Sequence, residues 1–219
     1  MTTTGVDTPH GRANVHLHPA ERPQAGLILG HGAGGGVAAG DLAAARDAAL
    51  SEGVTVALVE QPYRVAGRRS PPPARALDTA WTAVVEHLRT DALAELPLVL
   101  GGRSLGARVA CRTAAATGAV GVLCLAFPLQ PPRRASGAAA PSRLAELDAV
   151  PVPTLVVQGL RDPFGMPPAG PLRTVAQVPG DHSLRADLEA VAAAVAAWLP
   201  GVLAPARAAG DEVRGERQV

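Results

Sequence analysis

Short runs of Val and Leu alternate with longer, Ala-rich stretches of helical spacing along most of the chain. Residues 13–17 alternate apolar and polar side chains, the period of a half-buried edge strand. The apolar runs 26–29, 54–59, 96–100, 120–127 and 154–157 read as strands buried on both faces, and 172–178 as a further strand. Between them, 40–50, 74–90, 107–116 and a final Ala/Val stretch to Leu199 read as helices, with a short one at 142–147. Gly53 and Gly118 stand where helices would stop, and Trp81, Val84, Val85 and Leu88 share one face of 74–90. Strands alternating with helices predict an α/β fold, a mostly parallel twisted sheet of about six to eight strands with helices on both faces. One domain is expected over residues 13–199, with 1–12 and 200–219 as flexible tails. The loop 128–141 is too short for a large cap domain, but is long enough to rim a pocket.

Composition narrows the function classes. Among 219 residues are 45 Ala, so the 25 Leu and 24 Val must supply most of the buried area. Net charge is +1, every basic side chain other than His is Arg, and the aromatics number five. That balance argues against a nucleic-acid partner, which would need a basic face or stacking platforms. Two Cys cannot make a disulfide framework or a zinc cluster. No apolar run, residues 118–129 included, approaches the roughly 18 residues of a membrane span. The first residues, MTTTGVDTPHGRA, lack the basic start and apolar core of a secretory signal. The expectation is a soluble cytoplasmic domain acting on a small molecule, with no cofactor, metal or membrane; oligomeric state is left open.

In parallel α/β sheets, sites form in the loops after the carboxyl ends of strands. Three reactive residues fall there: Ser104 after 96–100, Asp162 after 154–157 and His182 after 172–178. A nucleophilic serine needs a base to take its proton, and the base needs a carboxylate to fix its tautomer. Gly102-Arg103-Ser104-Leu105-Gly106 is a G-x-S-x-G between an expected strand and an expected helix, the context a nucleophile elbow requires. An oxyanion needs preorganised N–H donors. Leu105, next after the serine, is expected to give one. The glycine-rich loop from Gly30 to Gly36 is expected to give the other, from Ala33 or alternatively Gly34.

These segments (HGAGGG, GGRSLGAR, QGLRDPFG and PGDHSL) resemble the α/β-hydrolase superfamily over roughly residues 15–199. Within it they look like the small lidless branch related to dienelactone hydrolases. They look more specifically like bacterial relatives of the hydrolase-like domain of the nonspecific-lethal chromatin complex. The resemblance implies an α/β-hydrolase fold without a large cap, Ser104 as nucleophile, Asp162 as acid, His182 as base, and no cofactor. Dienelactone hydrolases proper carry Cys where this chain has Ser104, so their substrate does not carry over. The expected reaction is hydrolysis of a small ester or thioester through an acyl-enzyme. Some eukaryotic members act as scaffolds, so a non-catalytic binding module is the alternative.

Other readings compete at single residues. Ser104 is also a plausible helix cap and Asp162 a turn residue. Asp148 precedes a strand and Asp181 abuts the histidine, so both are poorer acids. His31, Tyr63 and Arg103 are expected near the substrate, His31 more as a loop-ordering residue than as a second base. Arg64, Arg68 and Arg69 fall on the active-site side, either as a solvated loop or as a binder of anionic substrates. His16 and His18 read as polar positions on an edge strand, and Cys111 and Cys124 as small core residues. Gly30-x-Gly32-x-x-Gly35 with Glu60 also matches a dinucleotide fingerprint, but that reading leaves Ser104, Asp162 and His182 unexplained.

Overall fold

The computed structural model describes residues 1–131 and 140–216, and for 206–216 the backbone alone. Most of the expected loop 128–141, with its role as a pocket rim, therefore lies outside the described residues. An eight-stranded sheet runs in the order β1 (Thr2–Thr8), β2 (Gly11–His18), β4 (Val54–Glu60), β3 (Ala25–Gly30), β5 (Leu98–Arg103), β6 (Gly121–Leu125), β7 (Thr154–Gly159), β8 (Arg173–Val178). β1 pairs with β2 and β2 with β4 antiparallel; from β4 to β8 every pairing is parallel.

Successive side chains of a strand point to opposite faces, and here both faces are apolar. Leu27, Leu29, Val56, Leu58, Leu123 and Leu125 pack under α1 (Gly40–Ser51) and α6 (Leu188–Glu216). Ile28, Ala57, Val59, Leu100, Cys124 and Val156 pack under α3 (Ala74–Thr90) and α4 (Leu105–Thr117). The short helices α2 (Pro62–Val65) and α5 (Leu144–Asp148) complete the order, and no cap domain is inserted among the described residues.

Three features differ from the sequence reading. Residues 1–12, expected as a flexible tail, hold all of β1 and the start of β2, in register from Thr2 opposite Leu17 to Thr8 opposite Gly11. Within β1 only Val6 is buried, so the strand is held by its backbone ladder and offers no hydrophobic pattern to read. The tail expected from residue 200 is helical to Glu216, with Pro200 and Pro205 inside α6. An interior proline costs about 3 kcal/mol. Beyond Pro200, Val202 and Leu203 are buried, each contributing about 1.5–3 kcal/mol, which offsets that cost. The continued helix also corrects the estimate of apolar length. Leu188–Pro205 is an 18-residue window of mean hydropathy 1.6, long and apolar enough to cross a membrane by length and composition. Seven of those residues are Ala, and Val191, Val195 and Leu199 are buried in the core against the sheet.

Candidate active site

β5 runs through Gly101 and Gly102 to Arg103, and α4 begins at Leu105, leaving Ser104 alone at the junction with φ 51° and ψ −101°. A non-glycine residue in that region stores about 1–3 kcal/mol of strain, which surrounding contacts must over-determine. Ser104 N–H donates to Leu125 O on β6 at 2.9 Å, and Ser104 O accepts Arg108 N–H at 3.2 Å. Glycines two residues to either side let the backbones close in. A Cβ on Gly102 would lie 2.5 Å from Gly30 O, and one on Gly106 would overlap the Gly30 backbone outright.

His182 Nε2 lies 2.9 Å from Ser104 Oγ, and His182 Nδ1 lies 2.8 Å from Asp162 Oδ2. A carboxylate only accepts, so Nδ1 carries the proton, and Nε2 is left to accept the serine hydroxyl. Asp162 is buried; its Oδ1 accepts Phe164 N–H at 2.8 Å and its Oδ2 also accepts the Gln158 amide at 2.8 Å. The Phe164 ring packs on the imidazole, with centroids 4.4 Å apart. The His182 loop reaches β7 because Gly159 has no side chain: a Cβ there would overlap Asp181 O. Leu160 N–H to Val178 O (2.9 Å) and Arg161 N–H to Gly180 O (2.8 Å) hold the loops together. The three expected residues thus meet as one hydrogen-bonded chain at the ends of β5, β7 and β8.

The glycine-rich loop turns with Gly35 N–H donating to Gly32 O at 3.2 Å, presenting Ala33 and Gly34. Leu105 opens α4, where the first N–H groups lack intrahelical acceptors. The three side chains expected near substrate each have intramolecular partners. Tyr63 is buried and donates its hydroxyl to Ala33 O at 2.9 Å. His31 is buried, and Nε2 accepts Gln61 N–H at 3.1 Å, so Nδ1 carries the proton and donates to Gly32 O at 2.8 Å. Burial holds the His31 pKa below its ordinary value, which suits this neutral form. Arg103 Nε donates to Asp41 Oδ2 and its Nη2 to His182 O, both at 3.1 Å, while a Cβ on Gly32 would lie 2.8 Å from Nη1. Burial pushes the Asp41 carboxyl upward, with Arg103 opposing.

Other expectations fall away from this centre. Asp148 pairs with Arg173 at 2.9 Å; Asp181 is exposed and bonded to Ser183, which holds its carboxyl low. Glu60, the acid of the dinucleotide reading, bonds to His16 (3.3 Å) and Asn14 (3.4 Å) of β2. Arg68 and Arg69 are exposed and Arg64 half-buried. Cys111 and Cys124 are free and buried, with sulfurs 3.5 Å apart. No group of three potential metal ligands occurs among the described residues. The sequence reading missed Gln158, Phe164 and Asp41. An amide side chain directly after the apolar run Leu155–Val157 is a usable signal for Gln158; Phe164 and Asp41 show none before folding.

The profile of the family described as alpha/beta hydrolase domain matches residues 23–187. No curated protein matches the sequence. Among solved structures, a serine hydrolase without a lid from Xanthomonas campestris is 21% identical, with 89% of this chain and 91% of that chain covered at TM-score 0.71. Est1E from Butyrivibrio proteoclasticus is 15% identical, with 93% and 100% covered at TM-score 0.76. Dienelactone hydrolase from Anabaena variabilis is 15% identical, with 91% and 96% covered at TM-score 0.70. At these identities the likenesses to solved structures carry the fold.

Proposed function

The chain belongs to the α/β-hydrolase domain family, and from that premise we propose that it is a serine hydrolase cleaving a small ester or thioester. The observation that supports this most is the Ser104–His182–Asp162 hydrogen-bond chain, with links of 2.9 and 2.8 Å. In this reading Ser104 Oγ attacks the acyl carbon as its proton passes to His182 Nε2. Asp162 holds the tautomer and stabilises the imidazolium. The N–H groups of Leu105 and Ala33 receive the oxyanion; one such donor is worth about 3–4 kcal/mol of barrier. His182 then protonates the departing alkoxide or thiolate, leaving the acyl group on Ser104. Water, deprotonated by His182, attacks the acyl-enzyme; His182 passes that proton to the departing Ser104 Oγ and the acid is released.

The test is labelling with a fluorophosphonate together with turnover of p-nitrophenyl acetate. Wild type should be labelled at Ser104, and Ser104→Ala should lose labelling and roughly 10^4–10^6-fold in kcat. Equal, slow hydrolysis by both proteins, with neither labelled, would reject the reading in favour of a binding module on the same fold.

A further inference from the structure

Gln158, the fifth residue of β7, is fully buried directly after the apolar run Leu155–Val157. Its Nε2 lies 2.8 Å from Asp162 Oδ2, 3.0 Å from Phe127 O and 2.9 Å from Gly165 O. All three neighbours are acceptors, so the amide has one tenable orientation, because turning it over would aim Oε1 at three oxygens. In that orientation Oε1 is buried without a hydrogen-bond partner among the described residues. Leu or Met at this position would avoid that desolvation penalty. What the glutamine supplies in exchange is an N–H aimed at the oxygen that also accepts His182 Nδ1–H.

We propose that Gln158 is a positioning residue that acts on His182 through Asp162. The inference rests on the serine-hydrolase reading. Phe164 N–H fixes Oδ1 and Gln158 fixes Oδ2, so the carboxylate cannot rotate out of line with the imidazole. The second donor on Oδ2 also draws charge from that oxygen, so the imidazolium is stabilised less than by a carboxylate accepting from histidine alone. Gln158 thereby tempers the pull of Asp162 on the Nδ1 proton while holding the carboxylate in line with the imidazole.

The deciding variant is Gln158→Met, which keeps length and apolar bulk but has no donor. Its kcat on p-nitrophenyl acetate should fall roughly ten- to a hundredfold, the worth of one hydrogen bond to a charged group, with KM within about twofold. The acid limb of its kcat/KM profile should move to higher pH, and the His182 titration followed by NMR should move the same way. Thermal stability should fall modestly, since Phe127 O, Gly165 O and Asp162 Oδ2 lose their donor while removal of the unpartnered Oε1 offsets part of that loss. An unshifted acid limb and NMR titration in a folded, fluorophosphonate-labelled Gln158→Met overturns this inference and leaves the hydrolase reading standing. Wild type that takes no label overturns both. If Gln158→Met does not fold, the isosteric Gln158→Glu decides. Ionisation of the new carboxyl beside Asp162 should add a loss of activity with rising pH, and an unchanged profile rejects the role.

Discussion

His31 stands under the glycine-rich loop as a neutral imidazole, bridging Gly32 O and Gln61 N–H. Protonation would set an N–H against the Gln61 N–H. Burial lowers its folded pKa, while in the unfolded chain the group titrates near 6.5. The unfolded state then binds the proton more readily, so the His31 contribution is fully present above 6.5 and is lost as pH falls through the folded pKa. Urea midpoints should therefore drop between about pH 8 and about pH 5.5, and His31→Asn should flatten part of that slope. Tyr63 serves the same loop from the other side, its ring 5.8 Å from His31 and its hydroxyl on Ala33 O. The sequence points to His31 as a loop-ordering residue, but its bond to Gln61 N–H and the role of Tyr63 are not visible there, because those partners are backbone atoms 30 residues away. Ser104, Asp162 and His182 were legible, because each combines a reactive type with a position just after an apolar run.

Between elements, Arg103 links three segments that sequence treats separately. It joins the elbow to the first turn of α1 through Asp41 and to the His182 loop through a carbonyl. The Asp41 carboxylate is 1% exposed and the Arg103 side chain 21%. Removing one partner of a buried pair strands the other charge. Arg103→Met should cost about 3 kcal/mol of stability, the lower end for such pairs because Arg103 keeps some contact with water. Adding Asp41→Asn should recover part of the loss, so the double variant in urea unfolding should be clearly non-additive. Additive losses would mean that the pair does not act as a unit. The expectation of Arg103 near the substrate came from its place beside the serine; its ties to Asp41 and to the His182 carbonyl come only from the fold.

Across the whole molecule, the sheet is clamped between two apolar layers, and α6 closes one of them past its own prolines. A chain ending at Gly201 should lose the burial of Val202 and Leu203, about 3–6 kcal/mol, less the roughly 3 kcal/mol that Pro200 no longer costs inside a helix, a net loss of up to about 3 kcal/mol. A lower urea midpoint with the fold retained would show this; an unchanged midpoint would mean that this turn adds nothing. The sequence by itself determined the alternation of strand and helix, the parallel sheet, and the order of serine, aspartate and histidine after their strands. Those properties rest on local periodicity and on the rule that strand ends face one edge. Only the tertiary structure decided that β1 is a strand, that α6 survives Pro200, and that Asp41 and Gln158 serve the site. A backbone ladder, a proline's compensation and a buried hydrogen bond each depend on atoms distant in the chain. The clustered glycines span both levels. Their spacing marked the glycine-rich loop and the elbow in sequence, but only the fold shows Gly102 and Gly106 pressed against the backbone of Gly30.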